Sequence, residues 1–375
     1  MITDGDNTPE GCTDRATTDI DRGECGMARE HRPITRRTLL AATLGGAAAV
    51  GISGVPAFAQ TTTPSQPAGK AGGERLLIGN VVDGGTGLLQ VTTADLAAPV
   101  GVPLSSQPNG LVGSADGKVA YVATQFNPGL TVVNVGGAKV DGTIPVGGFA
   151  NSVVLSPDGA TAYVAVGAGG GSRGYVAVVS TADGQVKTRV QAGYQPRDIA
   201  ITPDGAKLFV ADERAKGVTV VDTKTNQVVG TIKTTRPALK VTTDPKGQRV
   251  FIAGQQELVT ADVATGKVTS TAVLAGRPGG LVVAPSGALA YVSLYTGPTT
   301  PAALAVVNTQ NGRVLQSKGN KKAHGDLAIA GTKVVAVDPV DGTTTAVNTE
   351  TTATTGELAS PGNATPTCVA FVGTN

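Results

Sequence analysis

Apolar and polar positions alternate in short bursts along most of this chain, and the intervals between bursts carry no three-to-four-residue helical spacing. One unit shows the pattern fully. Asp198-Ile199-Ala200-Ile201-Thr202 leads into Pro203-Asp204-Gly205 and then Lys207-Leu208-Phe209-Val210-Ala211, followed by Val218-Thr219-Val220-Val221-Asp222 and Val228-Val229-Gly230-Thr231-Ile232. This predicts four strands per unit. Pro203 presets φ at the second turn position, Asp204 bonds to local backbone, and Gly205 takes the left-handed conformation that closes a hairpin. Gly73, Gly117, Gly159, Gly205, Gly247, Gly287 and Gly331 recur at intervals of 40 to 46 residues, each four residues before an aromatic or aliphatic strand position. A seven-fold repeat near that period, rich in Val, Thr and Gly, predicts a radially repeated all-β body.

The turn recurs as Ser114-Ala115-Asp116-Gly117, Ser156-Pro157-Asp158-Gly159, Asp244-Pro245-Lys246-Gly247 and Ala284-Pro285-Ser286-Gly287. No Asp-x-Asp-x-Asp run accompanies these turns, so their carboxylates read as turn chemistry and not as calcium ligands. Tyr121-Val122-Ala123, Tyr163-Val164-Ala165, Phe209-Val210-Ala211, Phe251-Ile252-Ala253 and Tyr291-Val292-Ser293 follow them. These segments resemble the YVTN family of bacterial seven-bladed β-propellers, YncE-like, over essentially all of residues 73 to 375. The final Asn of the family tetrad survives only as Asn80, with Thr124, Val166, Asp212, Gly254 and Leu294 elsewhere. The resemblance implies an extracytoplasmic propeller with four antiparallel strands per blade, and it transfers no catalytic residue.

Ring closure is also written in the chain. The first unit opens on its second strand, Leu76 to Val81, and the missing strand lies at the other end. There, Pro366-Thr367-Cys368-Val369-Ala370-Phe371 aligns with Pro196-Arg197-Asp198-Ile199-Ala200-Ile201. The expected C-terminal strand therefore completes the first blade and removes an exposed sheet edge.

Length alone, 375 residues, suggests two or three domains; the repeat reduces that to one propeller over 73–375. Residues 1–59 read as a twin-arginine-type signal peptide: Arg36-Arg37, an uncharged run from Ala41 to Val55, and Ala57-Phe58-Ala59 before Gln60. The run is long enough for a membrane anchor, but its Gly content and Ala-x-Ala end favour cleavage, leaving no membrane span. The stretch before the Arg pair is long and acidic, and Met27 would give a more ordinary start than Met1. Residues 60–72, rich in Thr, Pro and Gly, read as a flexible linker. The expected product is an exported monomer, secreted or associated with the cell envelope.

Formal net charge is +2; residues 1–59 hold six Arg and eight Asp plus Glu, so 24 basic and 20 acidic groups follow them, a balance of +4. That is too mild to argue for nucleic acid, and Lys318, Lys321 and Lys322 form a short basic cluster without interleaved aromatics. Cys368 and His324 are the only Cys and His after the leader, which argues against an intramolecular disulfide, a multi-histidine metal site or a haem. No cofactor is expected.

Up-and-down strands place the loop after each second strand and the loop before each first strand on one face. Phe126, Phe149, Tyr175, Tyr194 and Tyr295 fall there, as do the insertions from Gly167 to Gly174 and from Tyr295 to Ala303. The starts of the innermost strands carry Asn109, Asn151, Arg197, Asp198, Lys240, His324 and Asp326, with Arg277 just before the sixth. This ring either orients an anionic or carbohydrate-like ligand or simply lines a water-filled channel. Three functional classes follow. The first is a non-enzymatic binding or interaction module taking a small molecule, glycan or protein on the loop-rich face. The second is a propeller lactonase, hydrolase or lyase, for which Asp198 and Asp326 would hold a metal that His324 completes. The third, a quinone or haem dehydrogenase subunit, is disfavoured by the lack of Trp and paired Cys.

Overall fold

Second strands of the repeat are apolar at consecutive positions because both of their faces are covered. In β13 (Lys207–Asp212), Leu208 and Val210 pack toward the preceding blade, while Phe209 and Ala211 pack toward the following one. The hydrophobic core is accordingly divided among seven clusters, one at each seam between neighbouring sheets. The repeated aromatics Tyr121, Tyr163, Phe209, Phe251 and Tyr291 are all buried in these seams. Burying each such side chain is worth roughly 1.5–3 kcal/mol, so the fold is held by its seams and no blade is self-sufficient.

The computed structural model of the chain describes residues 75–82, 86–93, 96–125, 129–168, 173–296, 303–319, 325–349, 354–362 and 364–372. The chain divides into two units, 1–65 and 66–375, and the described residues all belong to the second. The leader, the whole linker, Phe126, Lys321, Lys322 and His324 lie outside them. Strands β1 to β28 form seven four-stranded antiparallel sheets. The innermost strands are β28 (Thr365–Val372), β4 (Pro108–Gly113), β8 (Phe149–Leu155), β12 (Pro196–Ile201), β16 (Ala238–Thr243), β20 (Arg277–Val283) and β24 (Leu327–Ala330). Each touches the next, and β24 touches β28, which closes the ring. This is a seven-bladed β-propeller. No helix among the described residues is long and apolar enough to cross a membrane.

Closure follows the expected register. β28 pairs antiparallel with β1 (Arg75–Val81), setting Val369 opposite Ile78 and Phe371 opposite Leu76. Ile199 and Ile201 stand in the same relation to Val210 and Leu208. Burial inside β28 differs from the alignment in one respect: Phe371 is only half-buried, whereas Val372, one residue further, is 1% exposed in the seam with the second blade. Outermost strands are solvent edges, as in β15 (Gln227–Lys233), where Val228 and Val229 are exposed despite their apolar character.

Candidate functional site

An extra residue is inserted at the start of the innermost strands, and it determines where the polar side chains point. Pro108 lies opposite Thr124 but Gly110 lies opposite Ala123, so Asn109 has no ladder partner; Asn151, Arg197, Leu239, Gly279 and Thr367 occupy the same bulge in their blades. In the seventh blade Gly325 fills that role: its N–H donates to the Val337 carbonyl at 2.9 Å, and Val337 N–H donates to the Asp326 carbonyl at 3.1 Å. Bulges re-aim side chains. In three blades they aim them at the next blade. Asn109 Nδ2 donates to the Ala150 carbonyl (3.0 Å), Asn151 Nδ2 to that of Pro196 (2.7 Å), and Thr367 Oγ1 to that of Pro108 (2.8 Å). Asn109 and Asn151 thus tie adjacent blades together at the channel mouth.

The residue after each bulge forms an inner ring of Gly110, Ser152, Asp198, Lys240, Gly280, Asp326 and Cys368. Two members are glycine because the neighbouring strand passes close. A Cβ on Gly280 would lie 2.5 Å from the Leu327 nitrogen, and one on Gly110 3.0 Å from the Asn151 oxygen. With no side chain on the sixth blade, Lys240 Nζ of the fifth reaches past it to Asp326 Oδ1 of the seventh at 3.1 Å. Asp326 Oδ2 accepts the Val369 N–H at 3.3 Å. Asp198 accepts from Ser152 Oγ (2.8 Å) and from the Val241 N–H (3.1 Å). Both carboxylates therefore already have a cation or donors from other blades.

Burial works against the Lys240 ammonium, but attraction to Asp326 and Asp198 outweighs it and holds the pKa above the ordinary 10.5. The sign follows from that direction. This contribution to stability is complete below pH 10.5 and is lost only as the pH climbs through the higher folded value. Lys240 and Asp326 are 25% and 22% exposed, between the surface and fully buried limits, so Lys240→Met is expected to cost about 2 kcal/mol. Denaturant titration of the parent and the variant at pH 7 checks the cost, and an unchanged unfolding free energy would contradict it.

Cys368, in the same ring, is fully buried, and a Cβ on Gly79 would come within 2.5 Å of its sulfur. Burial, reinforced by the nearby Asp326 charge, pushes its thiol up to about 12. The thiolate is the reactive form. With Cys12 and Cys25 replaced by Ser, the folded chain is expected to resist a disulfide reagent at pH 8 and to release one thiol equivalent on unfolding. Rapid labelling in the native state would refute the inert assignment.

Above this ring the rim is built from loops. Asp212, at the last tetrad position of the fourth blade, is buried and accepts four backbone N–H groups: Tyr194 (2.5 Å), Gln195 (3.2 Å), Arg214 (2.7 Å) and Ala215 (3.1 Å). One carboxylate thus fixes both loops of its blade on this face. In the fifth blade Gly254 holds the tetrad position, and Glu257, paired with it across the hairpin, supplies the carboxylate to Thr235 Oγ1 and the Arg236 N–H (3.0 Å). The Tyr194 ring so positioned is 47% exposed, with the Arg173 guanidinium 4.7 Å from its centroid and donating to its hydroxyl at 3.2 Å. Glu213 takes Arg277 at 3.0 Å and Arg197 at 3.9 Å, bringing those two expected residues to one carboxylate. Phe149 and Tyr295 are each 41% exposed at the ends of their strands. Tyr175, another loop-face aromatic, is instead a clamp: its hydroxyl donates to the Val146 carbonyl at 2.7 Å and Arg189 covers its ring.

The opposite face carries a hollow with less chemistry. A cavity of about 680 Å³ is lined by Lys207, Arg249 and Asp262 among others. Its cations are already engaged as blade ties: Lys207 Nζ donates to the Val263 carbonyl at 2.8 Å, and Arg249 donates to Asp244 and to the Thr309 and Gly287 carbonyls. Turn carboxylates Asp116, Asp158 and Asp204 accept from the hydroxyls of Ser114, Ser156 and Thr202, which lowers their pKa values. Among the described residues no three His, Cys, Asp or Glu side chains cluster closely enough to hold a metal ion.

The chain matches no protein-family model. It is 26% identical over 144 residues to the seven-bladed β-propeller protein Rv1057 of Mycobacterium tuberculosis, a match spanning 36% of this chain and 36% of that protein. Among solved structures it is similar to hydrazine synthase of Kuenenia stuttgartiensis, with TM-score 0.58 and 21% identity over 65% of this chain and 77% of that one. It is also similar to a Bacteroides uniformis protein proposed to be a 6-phosphogluconolactonase, with TM-score 0.64 and 18% identity over 80% of this chain and 99% of that one. These identities carry the fold and no activity.

Proposed function

We propose that this chain is an exported propeller of the YVTN type, acting as a non-enzymatic binding module at the loop-rich channel mouth. One observation carries the reading. The three exposed aromatics among the described residues, Phe149, Tyr194 and Tyr295, all stand on that face, and packing of the seams does not require them there. Arg197, Arg277, Lys240 and Asp326 supply polarity beside them, on a scaffold whose inner ring is already cross-linked between blades. The hydrolase alternative needs Asp198 and Asp326 free to hold a metal, yet each is engaged, and the Lys240 ammonium provides the positive charge between them.

Metal analysis combined with a lactone and ester turnover screen tests this reading. The expected protein is metal-free and inert, and Tyr194→Ala weakens retention of ligands selected from a glycan and metabolite panel without moving the melting temperature. A stoichiometric divalent ion with turnover abolished by Asp326→Ala would establish the enzyme instead. Export rests on Arg36-Arg37 and Ala57-Phe58-Ala59. Replacing both arginines by Lys should retain precursor in the cytoplasm, and N-terminal sequencing of exported material that begins upstream of Arg36 would contradict the assignment.

A further inference from the structure

Solvent-facing carboxylates are distributed unevenly between the two faces: Asp116, Asp158, Asp183, Asp204, Asp222 and Asp262 stand on the turn side. On the turn side several cations have acidic partners at hand: Lys118 pairs with Asp116, Lys187 with Asp183, and Arg249 with Asp244. On the loop-rich side, Arg173, Arg197, Arg214, Lys216, Arg236 and Arg277 come from neighbouring loops of the third to sixth blades, and all six are exposed. The carboxylates among those loops of the third to sixth blades are few and committed. Asp212 and Glu257 are buried beneath backbone N–H groups, and Glu213 alone serves both Arg197 and Arg277. Among the described residues Arg173, Arg214, Lys216 and Arg236 make no ion pair. The nearly neutral chain therefore presents a cationic sector on the same face as its exposed aromatic rings.

We infer that this sector binds an acidic glycan, a polymer carrying a carboxylate on its sugars. The inference rests on the proposed binding role of the channel mouth and names the ligand chemistry. Two independent features select that chemistry. Guanidinium groups match carboxylates in a planar, two-pronged geometry, and five of the six cations are Arg. Rings exposed over about half their surface, such as Tyr194 with Arg173 beside it, offer a flat apolar face to the C–H side of a sugar while neighbouring cations take its charge. A lipid surface would demand contiguous apolar insertion, whereas these rings stand apart on different blades. A phosphate backbone carries denser charge than separate loops provide, and the overall balance, with pI 8.4, is below that of a basic nucleic-acid domain.

Oligogalacturonate, its fully methyl-esterified form and an oligothymidylate of equal charge serve as probes, titrated calorimetrically against the full chain at low and physiological salt. Oligogalacturonate should bind, the ester at least about tenfold more weakly, and added salt should weaken the acid form alone. Arg214→Glu with Arg236→Glu should cost at least about tenfold while leaving the melting temperature unchanged. The turn-face pair Lys246→Glu with Arg313→Glu should cost nothing. Equal binding of acid and ester, lost together in Tyr194→Ala, would overturn the charge selection while leaving the mouth a binding site. Tighter binding of oligothymidylate, equal effects of the two charge-reversal pairs, or no binding of oligogalacturonate would also overturn the inference.

Discussion

A chain stopped after Gly362 is expected to lose the cooperative fold, melting far below the parent or aggregating on expression. The stop removes the whole of β28, the innermost strand of the first blade. Cys368, Val369 and Val372 are each at most 4% exposed. At roughly 1.5–3 kcal/mol for a fully buried aliphatic side chain, Val369 and Val372 together approach the total stability of an ordinary domain. The loss reaches beyond packing. β1 would present a bare ladder edge, Asp326 would lose the Val369 N–H, and Pro108 would lose the Thr367 staple. Val372 also fills the space above Gly113, where a Cβ would come within 2.3 Å of it, so the second blade loses a wall. Thermal unfolding and size-exclusion chromatography of the truncated chain provide the measurement; a monomer with the parent melting temperature would mean that β28 does not close the ring. Val372→Asp provides a second test in which the rest of the strand is present, and it should lower the unfolding free energy by several kcal/mol for burying an unpaired charge.

Blade number, strand order and closure were legible because each depends on spacing. A glycine is required where φ is positive, and Gly117, Gly159, Gly205, Gly247 and Gly287 all have φ between 65° and 74° in the same turn. Apolar alternation was less informative at the outer edge, since Val228 and Val229 look like core yet face solvent. The candidate site was legible only as a location. Asn109, Asn151, Asp198 and Lys240 do gather at the channel mouth, but a bulge decides whether such a side chain faces the lumen or a neighbouring carbonyl. The register shift that produces a bulge leaves no fixed residue type, being Asn, Arg, Leu, Gly or Thr in different blades. The Lys240–Asp326 bridge depends on Gly280 lacking a side chain in a blade between them, a long-range fact invisible to local pattern. Glu213 and Arg173, which complete the rim, sit in loops that no period constrains. Asp212 had a readable signal: a carboxylate where most repeats place an uncharged residue asks for donors, and four backbone groups supply them.

Asp212→Ala should therefore affect stability and the site together. Hydrogen bonds to an ionised acceptor contribute about 1.5–3 kcal/mol each, but water can reach part of these loops once the carboxylate is gone, so a net loss of about 3 kcal/mol is expected. Melting should fall by at least about 5 °C. Asp212→Asn should lie between the two, because its amide keeps one accepting oxygen and turns a donor toward the remaining N–H groups. The loops held by Asp212 carry Tyr194 and Arg214, so any ligand retained through those residues should dissociate faster, while Phe149, on another blade, keeps its setting. Gly193 should be equally intolerant. Its φ is +112°, and a Cβ there would lie 2.1 Å from Asp212 Oδ2, so Gly193→Ala displaces the same carboxylate from the other side. Hydrogen exchange gives the local readout. The amides of Tyr194, Gln195, Arg214 and Ala215 should lose protection in Asp212→Ala well beyond the change in global stability, and protection equal to the parent at all four would show that the carboxylate does not hold the rim.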